Sequence, residues 1–274
     1  MQLAIKSVER AGAAEAKGPG HRARMVVPPE PVAEHGPFLA LVEDWFAPPA
    51  GFPTHPHRGI ETVTFVLAGE LLHMDHTGGE GRLMTGDAQF MTAGGGVLHS
   101  EMPGPQGVQS LQLWLNLPAR LKRTPARYRD VRRSDAASVE ARGAKARVYA
   151  GRLGDVVMPF ASIWPMTLID VMVDRDAALD VPVPGGERAF AYVLEGEAVM
   201  GAEKRPVRAG EVAWAALSSE PGVLTVGGAA RLLVYASPAF DEPIAYGGPF
   251  VMNTQEEILE AFADLRAGRL TEPK

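Results

Sequence analysis

The sequence predicts an all-β protein: two tandem antiparallel β-barrels of jelly-roll type, closed by one C-terminal α-helix. Three observations predict it. Short runs of β-branched and aromatic residues alternate with turn residues throughout, and 30 Gly and 23 Pro are spread over the 274 positions. One strand-and-turn pattern from the first half recurs in the second, in the same order. Helical periodicity is clear only over residues 254–268.

Taken in order, Ile60–Leu67 (IETVTFVL) reads as a strand ending at Gly69, and Gly69–Asp75 opens the next. Thr77-Gly78-Gly79 makes a turn, Gly81–Met84 a short strand, Thr85-Gly86-Asp87 a second turn, and Ala88–Thr92 and Val108–Leu117 two more strands. In the second half, Ala191–Ala198 (AYVLEGEA) parallels Thr64–Leu71 (TFVLAGEL), and Val207–Trp214 (VRAGEVAW) parallels Leu83–Phe90 (LMTGDAQF). The division expected from this is a first barrel with its linker over 1–135, a second barrel over 136–245, and a tail with a helix over 246–274. Between the barrels, Arg120–Arg133 (RLKRTPARYRDVRR) reads as a solvated linker, with seven basic residues and one acidic. In the tail, Thr254-Gln255-Glu256-Glu257 fits a capping box. Ile258, Phe262 and Leu265 make an apolar stripe with Leu259 beside it, and Gly268 is a C-terminal stop.

Composition narrows the function. A net charge of −6 argues against a nucleic-acid footprint, which needs a basic face. No cysteine is present, so disulfides, thiolate ligands and cysteine nucleophiles are excluded. The N-terminal stretch lacks the apolar core of a signal peptide, and no run approaches a membrane span. The expectation is a cytoplasmic monomer.

The chemistry lies in two pairs of residues, His55-Pro56-His57 and His99-Ser100-Glu101. Side chains at i and i+2 on a strand share a face, so each segment can aim two donors at one point. Imidazole and carboxylate suit first-row transition metals. Glu61 shares the parity of His57 and competes with Glu101 as the carboxylate donor. His73 and His76 flank a turn and are expected to be exposed. His21 and His35 carry no assignment. All seven histidines lie in the first hundred residues, so a second copy of the barrel cannot carry a histidine site. His99-Ser100-Glu101 is not a triad on a strand, because Ser100 points away from its neighbours. Phe65, Met74, Phe90 and Met91 are candidate pocket walls, with core packing the plainer role. The four tryptophans (45, 114, 164, 214) are expected in the core.

The segments HPHRGIETVTFVLAGE, TGDAQFMTAGGGVLHSEMP and GGPFVMNTQEEILEAFADLRAGR closely resemble the pirin family, within the cupin superfamily. The resemblance runs from about residue 36 to the end. It implies a bicupin with one metal in the N-terminal barrel, held by His55, His57, His99 and Glu101. Fe(II) is the first choice, with Ni, Mn, Cu or Zn as others. Relatives with quercetinase activity imply ring-cleaving dioxygenation of a flavonol-like substrate, with Glu101 as the catalytic base and dioxygen as co-substrate. Regulatory pirins imply the alternative, a non-enzymatic, iron-dependent redox sensor that binds a protein partner. An isomerase, as in other cupins, is a third reading that no residue points to. The chain departs from the family where pirins often have AGRG and it has Ala93-Gly94-Gly95-Gly96. It departs again in Phe38–Phe46 (FLALVEDWF).

Overall fold

A computed structural model describes residues 1–159 and 162–272. Strand accounts for 60% of the chain and helix for 7%, so the fold is all-β, two jelly-roll barrels with one C-terminal helix of real length. The chain forms two compact units. The first comprises Ala13–Arg133 with Phe240–Lys274, and the second Met1–Gly12 with Ser134–Ala239.

Each unit is built on a sheet of the same plan. In the first, the strands run in the order Arg127–Val131, Ala88–Thr92, Ile60–Asp75, Val97–Asn116, Phe38–Phe46, His21–Val27, Glu15–Gly18. In the second, the order is Ile5–Arg10, Glu211–Ala215, Glu187–Met200, Gly222–Pro238, Thr167–Val173, Ala144–Leu153, Ala137–Ala141. The repeat read from sequence falls on equivalent strands, Ile60–Asp75 and Glu187–Met200. The plan also corrects the expected division. Residues 5–10 were assigned to the first barrel, yet they pair with Glu211–Ala215 and fill in the second sheet the place that Arg127–Val131 fills in the first. An edge strand must hydrogen-bond to some partner, and here that partner lies two hundred residues away.

Two further expectations change. Gly69 does not end a strand: Ile60–Asp75 is continuous, and Gly69 sits in it at φ +80° beside a register shift. Gly196 does the same at φ +75° in Glu187–Met200. A Cβ at Gly69 would lie 2.2 Å from the Gly107 carbonyl oxygen, and one at Gly196 2.0 Å from that of Ala229. Glycine therefore lets a long strand bulge and bend where it meets a neighbour's backbone. The segment Arg120–Arg133 is not a solvated linker either. It supplies an edge strand, Lys122 is 1% exposed, and Arg123 and Arg132 pair with Glu260 and Asp87.

One core cluster of the second unit is aliphatic, with Val148, Val171, Leu224, Val226 and Leu232 all fully buried, and Phe190, Trp214 and Tyr235 stack as buried aromatics beside one another. In the first unit, Phe46, Val66, Leu71, Leu83 and Val108 form one cluster. The tail adds another. Phe250, Met252, Ile258, Ala261 and Leu270 pack with Leu98, Phe262 and Leu265. The helix Gln255–Arg266 begins with a complete capping box: Thr254 Oγ1 accepts from the Glu257 amide, and the Glu257 carboxylate accepts from the Thr254 amide. Leu259 is 67% exposed and so lies off the buried stripe. Gly268 follows the helix at φ +70°.

Candidate metal centre

The centre is built in the first unit on Val97–Asn116, which has a strand on each side of its first half. On one side lies Phe52–His57, antiparallel, with His55 opposite His99 and Phe52 opposite Glu101. On the other lies the end of Ile60–Asp75, with Asp75 opposite His99 and His73 opposite Glu101. The i, i+2 spacing turns His99 and Glu101 to one face. The register brings His55 and His57 to that face from one side and His73 from the other.

One nitrogen each from His55, His57 and His99 lies within 4.8 Å of the others, and ring centroids are 4.2 to 5.1 Å apart. Glu101 stands with His99 and His73 in a second group of the same closeness. Its carboxylate accepts from Gln112 Nε2 at 2.7 Å and from Thr64 Oγ1 at 3.4 Å. Glu61, the competing carboxylate, accepts from Thr92 Oγ1 at 2.5 Å and belongs to neither group. His73 corrects an expectation: it is 1% exposed, because it continues the inward parity of Leu71 to the strand's end. The signal was that parity, hidden by reading Gly69 as a strand end. His76 is exposed as expected. Among the proposed walls, Phe65, Phe90 and Met91 are buried, but Met74 is 55% exposed.

The donor set fits a divalent transition metal, and the test lies in its unpaired atoms. His57 Nδ1 donates to the Pro249 carbonyl at 3.2 Å, and His55 Nδ1 to that of Pro53 at 2.9 Å. That fixes the tautomer and leaves each Nε2 as a lone-pair donor. His57 Nε2 is buried with no hydrogen-bond partner, as are both nitrogens of His99. Buried polar atoms ordinarily find partners, and a cation explains several at once. Burial, and then the neighbouring His55, pushes His57 down to about 3, and burial with its histidine neighbours pushes His99 further down. Both are neutral imidazoles at pH 7, the form that ligates. Burial pushes Glu101 up to about 7, against the Gln112 hydrogen bond.

The tail holds these donors in place. Arg58, fully buried, donates to the Gly95 carbonyl at 2.6 Å, to Asp264 Oδ2 at 2.8 Å and to the Leu270 carbonyl at 3.1 Å. Lys122 Nζ donates to the carbonyls of Gly59 and Val251 and to Asn116 Oδ1. A Cβ at Gly59, at φ +84°, would lie 1.9 Å from the Val251 oxygen. Trp114 meets the His57 ring edge-on at 5.1 Å.

Comparison with known proteins decides the lineage. Residues 31–115 match the pirin family and residues 168–271 the pirin C-terminal cupin domain. The chain belongs to the pirin family. Mouse pirin is 32% identical over 267 residues, 92% of this chain and 89% of its own. A Pseudomonas aeruginosa pirin relative is 42% identical over 230 residues, 81% of this chain and 80% of its own, and bears a provisional quercetin 2,3-dioxygenase name. Among solved structures, quercetin 2,3-dioxygenase from Acinetobacter baumannii superposes with a TM-score of 0.88 at 30% identity, covering 98% of each chain. The expected bicupin architecture of a pirin therefore holds.

Proposed function

We propose that the protein is a metal-dependent dioxygenase that opens the central ring of a flavonol-type substrate, with His55, His57, His99 and Glu101 as metal donors and Glu101 as the base. The observation that carries this is Glu101, a carboxylate 2% exposed that stands within 4.8 Å of a donor nitrogen of His99 and is held in place by Gln112. Kinship with a quercetin 2,3-dioxygenase over the full length supports the substrate class.

A bound divalent ion, Fe(II) in the first instance, supplies a Lewis-acidic centre that makes a substrate hydroxyl acidic and supports dioxygen chemistry. The rest is done by side chains. Gln112 fixes Oε2 of Glu101 with a short hydrogen bond, while Oε1 has only the long contact to Thr64. Oε1 is therefore the oxygen that accepts the hydroxyl proton. His55, half-buried, is the donor nearest solvent, whereas His57, His99 and Glu101 are 3% exposed or less. The substrate would approach from the His55 side.

That same closure favours one second reading, an iron-dependent regulator that binds a protein partner. Cavities of about 510, 280 and 140 Å³ in this unit are lined by residues other than the four donors. The experiment that separates the readings is anaerobic loading with Fe(II), followed by quercetin and air. Loss of flavonol absorbance with release of carbon monoxide is expected. Glu101→Gln is expected to keep part of its metal and to lose turnover by a factor on the order of 10²–10⁴. A fully loaded protein without turnover would leave the regulator reading in its place.

A further inference from the structure

We infer that His73 is a fifth donor of this centre, and that His73, His99 and Glu101 form a second metal position overlapping the one made by His55, His57 and His99. The inference rests on the reading of this pocket as a metal centre and on nothing about the reaction.

The geometry is as close as that of the first group. One donor atom each from His73, His99 and Glu101 lies within 4.8 Å of the others. The His73 and His99 ring centroids are 5.2 Å apart, against 5.1 Å for His57 and His99. The backbone imposes this, since His73 sits directly opposite Glu101 across the ladder. Nothing in the ring's hydrogen bonding accounts for a histidine here. It is 1% exposed, and neither Nδ1 nor Nε2 has a partner. Leaving a polar atom buried and unpaired is costly, and an apolar residue after Leu71 and Leu72 would avoid that twice over. A neutral imidazole always carries one lone pair, and a cation shared with His99 and Glu101 would use it. Tyr128 covers the outer side of the ring at 5.1 Å and lines, with Asp75, Met91 and Val97, a cavity of about 140 Å³. His99, without any hydrogen bond of its own, is common to both groups and can serve either. Two imidazoles and a carboxylate suit a borderline divalent ion such as Fe(II), Co(II), Ni(II) or Zn(II).

The probe is Co(II), titrated into the full chain and followed by calorimetry and visible absorption. His55→Ala with His57→Ala removes the first group and leaves the second whole. This double variant is expected to bind one Co(II) per chain, more weakly than the parent. Adding His73→Ala is expected to weaken binding by a further factor on the order of tenfold or more and to remove the cobalt absorption band. If the alanine pair does not fold by circular dichroism, His55→Gln with His57→Gln, closer in volume, takes its place. A folded double variant that takes up no Co(II), or one whose binding His73→Ala leaves unchanged, would overturn the inference while the first metal position stands. A parent chain that takes up no Co(II) would overturn both.

Discussion

His57 donates one ring nitrogen to the Pro249 carbonyl and keeps the other bare, while the next residue, Arg58, spends its guanidinium on Gly95, Asp264 and Leu270. Adjacent residues thus divide the work: one offers a lone pair, and the other anchors the backbone that aims it. The Arg58–Asp264 pair is almost wholly buried, so removing one partner strands a charge. Asp264→Ala is expected to destabilise the first unit by about 3–5 kcal/mol, read from denaturant midpoints, and to weaken metal retention. Asp264→Asn, which keeps a hydrogen-bond acceptor, is expected to cost less. The motif histidines were legible in the sequence because their spacing is local. His73 was not, because its shared parity with Leu71 was hidden by reading Gly69 as a strand end. The role of Arg58 was hidden as well, because Asp264 is two hundred residues away.

At the scale of elements, the capping box was written out in Thr254 and Glu257, and the helix begins there. Thr254→Ala is expected to lower stability by about 1 kcal/mol, seen as an earlier loss of helix in thermal melts. The repeat around Gly69 and Gly196 was legible too, but its meaning was misread. A glycine after an apolar run looks like a stop, and only the neighbouring strands show that it is a bulge inside a longer strand. The contacts at 2.2 and 2.0 Å predicted for a Cβ there are with backbone oxygens, which cannot swing aside. The basic run Arg120–Arg133 was misread for a related reason. Charge density suggests solvent, yet Lys122 finds three oxygens and is buried whole.

At the scale of the whole molecule, stability depends on pH through groups outside the metal centre. Glu187, in the second unit, has one buried oxygen without a partner, and burial pushes its carboxyl up from 4.5 to about 7. A native pKa above the unfolded one means that the folded state binds more protons. This contribution is complete below pH 4.5 and is lost as pH rises through about 7. Glu187→Gln, neutral at every pH, is expected to melt with the parent near pH 4.5 and above it at pH 8, by roughly 2–4 °C for each kcal/mol relieved. Two copies of one barrel could be read from the sequence, but the assignment of the chain's outer segments could not, because strand pairing carries no local mark. The first unit uses residues 13–133 and 240–274, and the second takes 1–12 with the stretch between. A chain is made in one direction, so this arrangement sets a timetable. His55, His57 and His99 leave the ribosome early, but Pro249, Asp264 and Leu270, which fix the backbone around them, come only after the entire second unit has been made. Until then the two strands that carry the histidines lack that brace, and on the metal-centre reading proposed above the donor set is completed only late in the protein's synthesis.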